Sequence, residues 1–235
     1  MYKKLHSLYY EDQEQYKKIY KARYNSEAAI KLDFEISGCP AFFVQTSEVT
    51  SLAFKILRLD KKISEISQKL PGKALSQYSV KCLIDEIVVT NDIEGVHSSR
   101  KDIYENLFEV KSKSVQKGKA DKFAGMTHRY ERLIQSENIK IQTCEDIRAL
   151  YDEMVLPEVL SAEPKNAPDG KIFRKDQAAV HSPTQKVLHC GVTPEQKIIE
   201  HVEKALAFYN NDDIESLYRI CIFHYMFEYI HPFYD

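Results

Sequence analysis

Tyr225-Met226-Phe227-Glu228-Tyr229-Ile230-His231-Pro232-Phe233-Tyr234-Asp235 is the stretch from which the chain is best read. An apolar, aromatic helix runs into a histidine that precedes proline. The residue before a proline is pushed out of the α region, so the helix is predicted to stop at Ile230 or His231. One imidazole then stands at a helix end beside a tight turn, with the carboxylate of Asp235 four residues on. A general base next to a cation ligand is the chemistry such a pair suggests.

Working outward, 235 residues are enough for one large domain or two small ones. A net charge of -2 and a pI near 6.5 give no footprint for nucleic acid or a membrane surface. Only 7 glycines in so long a chain fit a mainly helical fold. The 5 cysteines are odd in number and never spaced as C-x-x-C, which supports neither a disulfide framework nor a zinc site. The N-terminus lacks the apolar core of a signal peptide, and no stretch has the apolar length to span a bilayer. The expectation is a cytoplasmic protein with reduced thiols.

In chain order, one surface helix is expected over Glu11 to Tyr24. Ile30, Leu32, Phe34 and Ile36 then alternate with strand period, Gly38-Cys39-Pro40 supplies a turn, and Ala41 to Val44 return. Leu52, Ile56, Leu59, Ile63 and Ile66 share one face of the next helix, which Pro71-Gly72 ends. Ile103, Leu107 and Val110 mark a helix, as do Phe123, Met126, Tyr130, Leu133 and Ile134. The lysines from Lys111 to Lys122 between them read as a solvated loop. Thr143-x-x-Asp146 opens another helix with a cap and an acid in its first turn. Leu156 to Lys171 reads as loop, and Ile172–His181 with Lys186–Cys190 as a hairpin tipped by Pro183-Thr184. Thr193-Pro194-Glu195 starts a helix with Thr193 as cap. The last helix, about Asp213 to Ile230, carries apolar residues around most of its circumference and is expected to be the most buried. His224 and Glu228 within it are placed to pair at i, i+4.

Val80, Leu83, Ile84, Ile87 and Val88 give a further amphipathic helix over Ser76 to Gly95, with Gly95 as its C′ cap. Glu94 in its last turn opposes the helix dipole, costing roughly 0.3–1 kcal/mol if exposed. Thr90 lies four residues before it on the same face. Something beyond the helix must favour this ending.

His231-Pro232-Phe233-Tyr234-Asp235 resembles the opening half of the Fic-family signature His-Pro-Phe-x-Asp/Glu-Gly-Asn-Gly-Arg. Thr90-x-x-x-Glu94-Gly95, followed by Val96-His97-Ser98-Ser99-Arg100, is similar to the inhibitory-helix motif that some members carry before the catalytic core. Gly170-Lys-Ile-Phe-Arg174, with Val180 and Val192-Thr-Pro-Glu195 after it, resembles the β-hairpin flap of Fic enzymes.

The resemblance implies a mainly α, Fic-like helical bundle with a small hairpin flap. Residues 1–73 would form an N-terminal helix, hairpin and helix cap, and 74–235 the inhibitory helix with an incomplete catalytic core. It also implies a protein adenylyltransferase that moves AMP from ATP, with Mg²⁺, to a Ser, Thr or Tyr hydroxyl of a target protein. His231 would be the general base, Asp235 the Mg²⁺ ligand, and Pro232 and Phe233 the supports of the loop. Glu94 would be autoinhibitory, with Thr90 and Gly95 shaping its helix end. Phe173, Arg174, Ala179 and Val180 would dock the target by strand addition. Gly-Asn-Gly-Arg is missing from the 235 residues, and with it the family's phosphate cradle and the partner of Glu94. This chain alone is therefore expected to be inactive, and an inert Fic-derived interaction module is the alternative. Target identity, the group transferred and homo-oligomerisation stay open.

Overall fold

Asp12 decides how the chain begins. Its backbone is extended (φ -155°, ψ 102°), and its carboxylate accepts the backbone N–H groups of Glu14 and Gln15, both at 3.0 Å. A side chain that caps in this way starts a new helix rather than continuing an old one. The single helix expected over Glu11–Tyr24 is thus two, α1 (Leu5–Glu11) and α2 (Gln13–Tyr24). The computed structural model describes residues 3–93, 97–109, 140–182 and 184–234, without the side chains of 106–109. It divides into two compact units, Met1–Glu65 and Ile66–Asp235.

In the first unit, β1 (Ala29–Ile36) buries Phe34 and pairs antiparallel with β2 (Cys39–Val44). The turn is Ser37-Gly38, with φ of 51° and 74°. Two left-handed residues match the twist of a tight hairpin, so the turn precedes the expected Gly38-Cys39-Pro40, and Cys39 and Pro40 belong to the strand. Tyrosines four apart on α2 hold it to this hairpin. Tyr20 and Tyr24 meet Phe42 edge-on, with ring centres 5.5 and 5.6 Å away, and the Tyr20 hydroxyl donates to the Pro40 carbonyl. α3 (Ser47–Ser67) follows and has no buried residue.

In the second unit, α4 (Gly72–Ile93) buries the face its periodicity predicts. Leu83, Ile84 and Ile87 close on Ile103 of α5 (Arg100–Glu109), with Val80 and Val88 packed against the cluster. Asn91 is also buried there, and its amide donates to Ser98 Oγ at 3.0 Å. The helix expected at Phe123–Ile134, the lysines from Lys111 to Lys122, and Leu107 and Val110 as core positions lie outside what is described, as does Pro183.

α6 (Cys144–Met154) starts on the expected Thr143 cap, which with the first-turn acid makes a capping box: Asp146 N–H donates to Thr143 Oγ1 at 3.1 Å, and Thr143 N–H to the Asp146 carboxylate at 2.9 Å. The stretch read as loop after Leu156 begins with a short helix, α7 (Leu156–Ala162). Pro157 falls in its first turn, where a missing N–H costs nothing. α8 (Glu195–Tyr209) packs on α9 (Ser216–Ile230). Thr193 does not cap α8, whose N-cap is Pro194. The expectation for α9 also needs correction. Only Ile222, Met226 and Ile230 are buried, along one i, i+4 stripe, while Ile220 and Tyr225 stand more than half exposed. His224 and Glu228 lie on that open side, and no ion pair between them occurs among the described residues.

Two short strands, β3 (Ala179–His181) and β4 (Val187–Cys190), form the second hairpin. Among the described residues, nine α-helices and two two-stranded sheets make the fold mainly α, as the sequence predicts. The α4–α5 core gives a direct check by urea unfolding. Ile87→Ala, at a side chain 1% exposed, should cost about 2–5 kcal/mol. Val89→Ala on the same helix, 56% exposed, should stay within about 0.5 kcal/mol.

Candidate active site

The last turn of α9 delivers His231 in the left-handed region, at φ 51° and ψ 66°. Proline at 232 disfavours the right-handed α conformation for His231, which explains why the helix stops at Ile230. Histidine tolerates this conformation better than most residues, but still at a cost that its surroundings must offset. The His231 N–H closes the helix on the Phe227 carbonyl at 2.9 Å. Its side chain is half-buried, while Pro232 and Phe233 beneath it are buried.

Arg174 is what the loop rests on. It is fully buried and its fork reaches four main-chain carbonyls. Nε donates to His231 O at 2.8 Å, Nη1 to Asp176 O at 2.6 Å, and Nη2 to Val192 O at 2.9 Å and Ile230 O at 3.4 Å. Its own N–H adds a bond to Pro232 O at 3.3 Å. The end of α9 and the exit of β4, both distant in sequence, are thereby tied with Arg174's own loop to one planar cation. Burial pulls the guanidinium below the ordinary arginine value, though an arginine keeps its proton in proteins.

Close approach at this point demands a glycine. A Cβ on Gly191 would sit 2.3 Å from Arg174 Nη2 and 3.0 Å from the His231 Cβ. Beyond Gly191, Val192 N–H donates to the Ile230 carbonyl at 3.0 Å, and one ring nitrogen of His189 lies 2.7 Å from Tyr229 O. The strand β4 and its exit therefore run alongside the end of α9.

Arg174 is held in turn by Glu195. The carboxylate of Glu195 accepts the backbone N–H groups of Lys171, Ile172 and Phe173 at 3.0, 2.8 and 3.0 Å. Burial alone would raise this carboxyl, but the three N–H donors and nearby Lys175 hold it below the usual range. Gly170 fits the same turn, since a Cβ there would meet Phe173 O at 2.3 Å and Glu195 Oε1 at 2.4 Å. Phe233 stacks on Tyr151 of α6 (ring centres 3.8 Å apart, 11° between planes) and meets Phe173 edge-on at 5.5 Å. The Tyr234 hydroxyl donates to Asp169 at 3.0 Å and accepts the Asp176 N–H at 2.9 Å.

Two of the residues expected to dock a target are placed otherwise. Phe173 and Arg174 are both fully buried beneath the His231 loop, not on a hairpin arm. Ile172, Phe173 and Arg174 are buried without joining a strand because Glu195 and Pro232 take up their N–H groups, while Lys175 to Gln177 are exposed. Ala179 and Val180 do lie on β3, Val180 with 40% exposure. Thr90 is exposed near the end of α4. Glu94, Gly95 and Asp235 lie outside the described residues. Among those described, no group of three or more His, Cys, Asp or Glu side chains could hold a metal ion. Sequence reading missed the roles of Glu195, Tyr151, Asp169 and Tyr234. The only local signal was the pair of glycines, Gly170 and Gly191.

The arrangement fixes the backbone of His231 and leaves the residue half-buried, and an imidazole has the chemistry to accept a proton from a hydroxyl. Two measurements test the supports. Arg174→Met leaves several buried carbonyls without a donor and should cost on the order of 3 kcal/mol in urea unfolding. Gly191→Ala should also destabilise, whereas Val180→Ala at the exposed strand should change little. The depressed Glu195 carboxyl contributes stability that is present above its unfolded value, near ~4.3, and lost as pH falls through its folded one. Unfolding free energy should therefore drop more steeply for the wild type than for Glu195→Gln as pH is lowered below about 4.

A family model, Fic/DOC family, matches residues 142–235, from just before α6 through the His231 loop. Thr90 to Gly95 precede the matched residues. A crystal structure of a Fic family protein from Desulfovibrio desulfuricans G20 is similar in fold, with a TM-score of 0.59 and 18% identity. The likeness covers 82% of this chain and 54% of that one, so this chain spans about half the length of that protein. No curated protein matches the chain. Residues 142–235, which carry every support of His231 described above, are the ones that match the Fic/DOC family model.

Proposed function

We propose that the chain provides the hydroxyl-activating half of an autoinhibited Fic-type protein adenylyltransferase. The single observation that carries this reading is His231, fixed in a left-handed backbone by a buried arginine within a Fic/DOC-family region. A half-buried imidazole so held is suited to take the proton from a Ser, Thr or Tyr hydroxyl of a target. The hydroxyl oxygen then bonds to the α-phosphorus of ATP, the bond to the β-phosphate oxygen breaks, and pyrophosphate leaves. ATP with Mg²⁺ would supply the AMP group and the charge neutralisation; Asp235 is the residue of this chain with the chemistry for Mg²⁺.

Val180 and Ala179, on a two-stranded sheet with open edges, suit a target segment that adds as a strand. Glu94 would hold the site off until displaced, with Thr90 and Gly95 setting the helix end that carries it. The sequence contains no Gly-Asn-Gly-Arg segment, so within this reading the triphosphate lacks its N–H donors in the chain alone. An inert Fic-derived interaction module is the second reading, and the open edges of the β3–β4 sheet would serve it.

Labelling with ATP radioactive at the α-phosphate separates them. The 235-residue chain should give no labelled protein. The same chain followed by Gly-Asn-Gly-Arg and the helix of a Fic relative should label target proteins in a cell extract. Glu94→Gly in that longer form should raise labelling, and His231→Ala should lower it about 10²–10⁴-fold. Failure of the longer form, with and without Glu94→Gly, leaves the interaction module standing.

A further inference from the structure

α3 carries a regular heptad pattern that the functional reading leaves unused. Val49, Ile56 and Ile63 recur every seven residues, and Leu52, Leu59 and Ile66 follow each of them by three. These are a and d positions over three heptads, the length at which a sustained repeat argues for a coiled coil. The a positions are all β-branched and two of the three d positions are leucine, the combination that favours two parallel strands. Among the described residues of α3 none is buried, and Leu52, Ile56, Leu59, Ile63 and Ile66 are 41–62% exposed. Phe54 and Leu57, also exposed, lie off this seam and take no part in it.

Charge at the flanking positions selects the partner and its direction. In a parallel pair, a g residue faces the e residue five places on in the other helix. Lys55 then faces Asp60 of the second copy, and the two-fold axis produces the contact twice. An antiparallel pair with full overlap would instead set Lys55 against Lys62, like against like. We infer that α3 is a dimerisation helix, joining two copies of this chain in a parallel, two-stranded coiled coil about 30 Å long. The proposal is independent of the transferase reading.

Sedimentation equilibrium of the full chain tests it. The expected species at tens of micromolar is a dimer, twice the 27.3 kDa chain mass. Ile56→Glu with Leu59→Glu should give a monomer with unchanged helicity by circular dichroism, because both side chains are more than 40% exposed. Lys55→Asp should weaken the dimer about tenfold, and adding Asp60→Lys should restore it to within about threefold. A monomeric wild type, or a dimer indifferent to Ile56→Glu with Leu59→Glu, overturns the proposal. A Lys55→Asp defect that Asp60→Lys does not repair overturns the parallel pairing.

Discussion

The buried guanidinium of Arg174 is the constraint on which the C-terminal unit turns. Among the described residues no carboxylate pairs with it, and its donors go to the carbonyls of His231, Asp176, Val192 and Ile230. A cation placed so deep is tolerated only where its donors are met. Each of those carbonyls comes from a segment that would otherwise end in unsatisfied polar groups. The last turn of α9 leaves its terminal carbonyls open, and the loops around 176 and 192 have no ladder to join. One planar side chain satisfies all three, so the helix end, the loop before β3 and the exit from β4 are placed together.

The rest of the site follows in layers. Glu195, at the first position of α8, fixes the turn that presents Arg174, and its charge suits the N-terminus of that helix as well as the N–H groups it accepts. Tyr151 and Phe173 sandwich the ring of Phe233, which fixes the loop from below. In the proposed function such a support matters, since a small misplacement of the imidazole would cost a general base much of its effect.

Apolar surface is distributed unevenly over the molecule. α9 buries one stripe and leaves Ile220 and Tyr225 open, while α3 leaves its whole seam open. Runs of large apolar side chains in solvent are uncommon without a partner to meet them. The α3 seam differs from the α9 face in carrying a repeat and a charge pattern, which specify a partner rather than merely accommodate one.

Reading the sequence alone determined the elements whose causes are local. The stop of α9 before Pro232, the Thr143 cap with Asp146 in the first turn, the buried face of α4 and the alternation in β1 all depend on residues within a few positions of one another. The break at Asp12 and the turn at Ser37-Gly38 were local too, but each competed with a longer periodic pattern and was misplaced. Only the tertiary structure decided the fate of Phe173 and Arg174. Period and position suggested a strand, whereas burial beneath His231 made that stretch a loop held by Glu195. The physical reason is that Arg174 binds backbone carbonyls, a group every residue carries. No side-chain pattern can mark such partners in advance, and they become visible only when the chain has brought them together.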